Sequence, residues 1–198
     1  MRVTFLFVLL LAGCSVTIET PPPPDPVLNA LRYIGFSEFS QRYELTDLTG
    51  IDPVSTQWCA AFVNSILAMS DIPGSETVSE HPLTARSFLK WGEHVDPADI
   101  KRGDIVVFPR GRSSVEGHVG FYIETRIIDG YPMYVILSGN QSNTVDYDLF
   151  IPSTALDIRR YVFEEKINNS VPYGQKLNVR NIGPDFMQNQ LRRPRTSY

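Results

Sequence analysis

The chain holds two cysteines, three histidines and two tryptophans in 198 residues, and these scarcities exclude whole classes of protein. Two cysteines cannot build a disulfide framework, and one thiol beside scattered histidines gives no zinc-ligand spacing. Neither a His-Glu-x-x-His helix nor a phosphate-cradling glycine loop occurs, so no metal and no cofactor is expected. Basic blocks are missing as well: 18 Lys and Arg stand against 22 Asp and Glu, for a net charge of -4, and nucleic acid is a poor candidate partner. The chain has no internal repeat, and the apolar run from Val3 to Leu11 is too short to span a bilayer. What remains is ordinary for one globular domain, with 42% hydrophobic and 20% charged residues.

Residues 1–13 read as a processing signal, with Arg2 as its basic start and Val3 to Leu11 as its apolar stretch. It closes on Leu11-Ala12-Gly13-Cys14. This tetrad resembles the lipobox of bacterial lipoproteins, in which the cysteine is lipidated and becomes the first residue after cleavage. Residues 14–26 then include Pro21-Pro22-Pro23-Pro24-Asp25-Pro26, which cannot form helix or interior strand and extends by about 3.1 Å per residue. A stiff tether behind a lipidated Cys14 lifts a domain off a membrane, so the expected location is the bacterial cell envelope. Ser15 is not the aspartate associated with inner-membrane retention, which points to the outer membrane in a two-membrane host. With Cys14 consumed by lipid, Cys59 is left alone where structural thiols are normally paired.

Gln57-Trp58-Cys59-Ala60-Ala61-Phe62-Val63-Asn64 organises the remainder. Phe62, Ile66 and Met69 lie on one stripe with Val63 and Leu67 beside it, a buried helix that runs to Pro73-Gly74. Cys59 falls in its first turn, where unpaired N–H groups and the helix dipole favour thiolate. A short helix is expected over 27–34, an amphipathic piece over 36–48, and a helix behind an N-cap at Thr84 that carries Phe88, Leu89 and Trp91 to Gly92. Strands follow over 104–108, 118–124, 134–137, 145–150 and 158–163, with Asp129-Gly130 as a hairpin turn. Helices first and strands after predict an α+β fold, its helix layer packed on a curved, mostly antiparallel sheet. The domain is expected over 27–163, followed by a polar extension over 164–198.

An acyl-transferring thiol needs a base and a group that orients the base. His118 opens a strand whose alternation places it on one face with Gly120, Tyr122 and Glu124. His81 and His94 fall in polar segments and read as solvated. Asn140 ends the strand that returns beside His118, so its carboxamide oxygen could accept from the imidazole. Equally, it could be a turn asparagine in the left-handed region. Tyr122 either lines the cleft or packs. The loop from Arg110 to Gly117 reads as surface.

Trp58-Cys59-Ala60-Ala61-Phe62-Val63-Asn64, Ala85-Arg86-Ser87-Phe88-Leu89-Lys90-Trp91-Gly92, Gly103-Asp104-Ile105-Val106-Val107-Phe108, Gly117-His118-Val119-Gly120-Phe121-Tyr122 and Gly139-Asn140-Gln141 follow one another in the order seen in CHAP-type proteins, the cysteine, histidine-dependent amidohydrolases/peptidases of bacteria and phages. The match is similar to a largely uncharacterised branch of that group and covers roughly 27–161. The resemblance implies a papain-like fold and a peptidoglycan substrate, cut in the stem peptide or at its link to muramic acid. It implies Cys59 as nucleophile, His118 as base and Asn140 as third member, where some relatives carry a carboxylate and this chain has Ser138 nearby. The oxyanion would be held by the Cys59 backbone N–H and one more donor, with Gln57 and Trp58 as candidates for oxyanion or substrate contact. A rival reading keeps the fold as a non-catalytic wall-binding lipoprotein.

Overall fold

A computed structural model describes residues 24–163. The lipobox, nearly all of the tether and the polar extension lie outside these residues. The end of the expected tether is instead the start of the domain: Asp25 caps helix α1 (Pro26–Ala30), its Oδ1 accepting from the Val27 N–H at 2.9 Å, with Pro26 in the first turn. Proline belongs there because its missing N–H is one a helix start leaves unpaired anyway.

Helix α2 (Arg42–Thr49) begins later than the periodicity predicts, because the chain over 36–41 is committed elsewhere. The Val145 N–H donates to the Phe36 carbonyl, the Glu38 N–H to the Asn143 carbonyl, and the Gln41 side chain accepts from the Ser37 N–H. Helix α3 (Cys59–Ala68) stops short of Pro73-Gly74. Asp71 turns left-handed at φ 55°, and the Ile72 N–H folds back onto the Leu67 carbonyl. The segment after Thr84 is a 3-10 helix over Ala85–Lys90 with no side-chain cap, since the Thr84 hydroxyl donates back to the His81 carbonyl.

The fold is α+β, with every strand pair antiparallel, as the order of elements predicts. Strands β1 (Glu93–His94), β2 (Ile105–Pro109), β3 (Gly117–Ile128), β4 (Tyr131–Gln141), β5 (Thr144–Phe150) and β6 (Asp157–Arg160) form one sheet in the order β1-β6-β2-β3-β4-β5. Asp129-Gly130 makes the expected hairpin turn, both residues at positive φ. Two features escape sequence reasoning. Strand β1 is too short to have a period, and β6 returns to pair with β2 and β1 rather than extending the meander.

Alternation divides the sheet's side chains into two clusters. Ile105, Val107, Val119, Phe121, Leu137 and Val145 pack with the α3 residues Phe62, Val63, Ile66 and Leu67. Val106, Phe108, Tyr122, Tyr134, Ile136 and Ile158 form the second cluster on the other face. Phe62, Ile66 and Leu67 are fully buried, and each such side chain contributes about 1.5–3 kcal/mol relative to exposure. That burial fixes the helix, and with it Cys59, against β3 and β4.

At Gly139 strand β4 passes close to Trp58 and the first turn of α3. A Cβ there would run into the Trp58 ring and the Phe62 Cβ. Gly139→Ala is therefore expected to cost about 1–3 kcal/mol by overpacking and to shift the turn that carries Cys59. Urea denaturation checks this; an unchanged midpoint would mean that the helix is not held against β4 in this way.

Candidate active site

Trp58 occupies the N-cap position of α3. Its side chain is fully buried, its indole Nε1 donates to Glu38 Oε2 at 3.0 Å, and its ring meets Phe62 edge-on. It holds the helix start in place and has no surface left for a substrate. Glu38, which sequence reasoning missed, is the buried carboxylate that satisfies the indole.

Cys59 follows, 3% exposed, and lines a cleft of about 370 Å³ together with Gln57, Thr84, Arg110, Glu116 and Gly117. The backbone N–H groups of Ala60 and Val119 interact with its sulfur, and the Arg110 guanidinium adds a favourable field. Burial outweighs all of these and pushes the thiol above its ordinary range. This corrects the expectation of a thiolate at rest. A helix terminus is worth about 0.3–1 kcal/mol, whereas burial can shift a group by several pKa units. Alkylation by iodoacetamide should accordingly keep accelerating through pH 9. A plateau near neutral pH would contradict a protonated resting thiol.

His118 is the residue before Val119, whose amide meets the sulfur. The register of β3 with β4 begins at Phe121↔Leu137, so residues 118–120 precede that ladder. Beside them β4 is irregular between Ser138 and Gln141, and the Ser138 hydroxyl donates to the Val119 carbonyl. A strand's N–H points within the sheet rather than out of its face, so the sulfur sits beside the β3 backbone. The imidazole projects onto the face of the second cluster, opposite Phe108 in the β2 register, and stacks on Phe150 with centroids 5.6 Å apart and planes 10° apart. Both ring nitrogens are buried without a hydrogen-bond partner, and no bond joins imidazole to thiol. Burial, and secondarily the nearby Arg110 charge, lower the His118 pKa to about 3, so the ring is neutral at rest.

Asn140 stands in the irregular stretch of β4 with φ 60°. Its Nδ2 donates to Gln57 Oε1 at 2.8 Å, and no hydrogen bond links it to His118. Arg110 Nη1 donates to the same Gln57 oxygen at 2.7 Å. The Gln57 carboxamide is thus fixed by its oxygen, which leaves its N–H groups available to an acceptor in the cleft. Tyr122 lies away from the cleft: its ring packs edge-on against Tyr134, and its hydroxyl shares a 2.7 Å hydrogen bond with Thr125. His94, expected to be solvated, is exposed but bonds through Nδ1 to Asp157 at 2.6 Å.

The structure therefore brings Cys59, Gln57 and Asn140 together and removes Trp58 and Tyr122 from the cleft, but it does not join the expected pair: Val119 meets the sulfur while the His118 imidazole lies on the sheet face away from α3. Arg110 is the member that sequence reasoning left in a surface loop. Its position directly after an apolar strand whose partner strand opens on His118 was the available signal. Among the described residues, no group of three or more His, Cys, Asp and Glu side chains is placed to hold a metal ion, and no helix is long and apolar enough to cross a membrane.

These features define an α+β chain in which a thiol opens a helix packed on one face of an antiparallel sheet. No family model matches the chain, and no curated protein matches it. Among solved structures it is similar to an NlpC/P60 family protein from Bacillus cereus ATCC 10987, with 18% identity and a TM-score of 0.45. The alignment covers 73% of this chain and 41% of the other, so this chain spans about two-fifths of that protein's length.

Proposed function

We propose that the chain is a thiol amidohydrolase of the bacterial cell wall, cutting an amide in peptidoglycan by attack of Cys59. The observation that carries this reading is Cys59 in the lining of a cleft, its sulfur against the Val119 amide, next in sequence to an imidazole that has no partner on either nitrogen. A buried polar group without a partner costs about 1–3 kcal/mol, and proton transfer during catalysis gives this one a reason to persist.

With thiol and imidazole both neutral at rest, the proton must move as the sulfur attacks. This requires the His118 imidazole, which stacks on Phe150 on the sheet face away from α3, to leave that buried position and reach the sulfur past the β3 backbone. It takes the Cys59 proton while sulfur bonds to the carbonyl carbon. The Cys59 backbone N–H and the Gln57 carboxamide N–H hold the oxyanion, Gln57 being aimed by Arg110 and Asn140. The imidazolium then protonates the leaving amine as the C–N bond breaks, and water hydrolyses the thioester to regenerate the thiol. Asn140 acts here through Gln57. Membrane anchoring through lipid on Cys14, with an outer-membrane destination, belongs to the same proposal and rests on the lipobox resemblance.

A non-catalytic wall-binding lipoprotein is favoured by one observation, the missing imidazole–thiol hydrogen bond. Purified wild type and Cys59→Ala, incubated with intact sacculi, separate the two. Hydrolysis predicts muropeptides of defined mass released by wild type alone. Equal binding of both proteins to sacculi with no release by either would support the binding module.

A further inference from the structure

Arg110 leaves the end of β2, directly after Pro109, whose register partner is Gly117, and so reaches the cleft beside the thiol. Five other arginines, Arg42, Arg102, Arg126, Arg159 and Arg160, each have a carboxylate within 4.0 Å. Among the described residues Arg110, like Arg32, Arg86 and Arg112, has none; of these four it alone lines the cleft with Cys59, and its hydrogen bond runs from Nη1 to the neutral oxygen of Gln57 at 2.7 Å. A guanidinium carries five N–H donors in a rigid fork, so most of this one is unused. Asn140 holds the same Gln57 oxygen at 2.8 Å, so the arginine is anchored at one nitrogen in the cleft lining, and its other N–H groups have no protein partner among the described residues. Glu116 also lines the cleft without ion-pairing to Arg110, and its like charge opposes an incoming anion, so the subsite depends on the guanidinium outweighing it.

We propose that Arg110 forms an anion subsite of this cleft and binds a carboxylate that the substrate carries on the residue adjoining the amide to be cut. The inference rests on the amidohydrolase reading and adds the charge of the substrate to it. A carboxylate is the fitting anion because the planar fork matches its two oxygens and because the anions of a peptide are carboxylates. Anchoring before binding means that little side-chain freedom is lost when the substrate arrives.

Two peptide amides, identical except for a carboxylate or a carboxamide on the residue beside the scissile bond, test this. Wild type should cut the carboxylate peptide with a kcat/KM roughly 10- to 100-fold higher. Arg110→Gln should lower both rates, since the thiol loses a nearby cation, but should bring the ratio to within about threefold of unity. Arg110→Lys, which keeps the charge and loses the fork, should retain part of the preference. A wild-type ratio near one, or a full preference surviving in Arg110→Gln, would overturn the subsite. If wild type cleaves neither peptide, the hydrolase reading fails by itself, and calorimetric binding still decides the subsite. Tenfold tighter binding of the carboxylate peptide by wild type but not by Arg110→Gln supports it; equal binding of both peptides refutes it.

Discussion

Cys59→Ala is expected to abolish muropeptide release from sacculi, by at least about 10³-fold, while leaving the fold intact. The sulfur is nearly buried in a backbone cradle beside the cleft, so alanine leaves a small void and no unpaired charge. The stability cost should stay near 1 kcal/mol, the scale for losing one buried sulfur-sized group. Activity and stability therefore separate, as they would not for a thiol that served only as a small hydrophobe. Release by Cys59→Ala at the wild-type rate would remove the nucleophile from the account.

His118→Phe should move the two properties in opposite directions. Phenylalanine keeps the stack on Phe150 and removes two buried nitrogens that have no partner, so the variant should gain about 1–3 kcal/mol at neutral pH. Hydrolysis should fall by about 10²- to 10⁴-fold, the usual contribution of a general base. The stability difference should also depend on pH. A histidine with a pKa of about 3 when folded and 6.5 when unfolded takes up its proton only in the unfolded chain across that window. Its contribution is fully present above 6.5 and is lost as pH falls toward 3, by roughly 2 kcal/mol between pH 7 and pH 5. The gap between variant and wild type should widen by that amount in denaturant titrations at the two pH values. A constant gap would mean that the imidazole is not buried as a neutral ring.

What the sequence makes legible is position along the chain. The stripe of Phe62 and Ile66 with Leu67 beside it announces α3, although Met69, expected on it, is exposed past the helix end; the Asp129-Gly130 turn announces the β3–β4 hairpin; and alternation holds from His118 to Tyr122, after which the bulge turns Glu124 to the other face. Protonation is not legible in the same way. The dipole at Cys59 can be read from the sequence, but the burial that overrides it comes from β3 and β4, which are far away in the chain. Partners chosen by tertiary packing are hidden for the same reason. The indole of Trp58 finds Glu38, and Asn140 and Arg110 converge on Gln57, across 20, 83 and 53 residues of chain. No local pattern encodes such meetings. Tyr122 shares the histidine face as alternation requires, yet that face carries a second apolar cluster rather than the cleft wall.

The central claim is that a peptide carbonyl becomes bonded to the Cys59 sulfur while His118 handles the proton. Acid-quenching the protein during turnover of muropeptides and weighing the Cys59-containing fragment tests it most directly. The account predicts a thioester adduct on Cys59 in wild type, its absence in Cys59→Ala, and its near absence in His118→Phe. Muropeptide release with no adduct on Cys59, or equal adduct in wild type and His118→Phe, would contradict it.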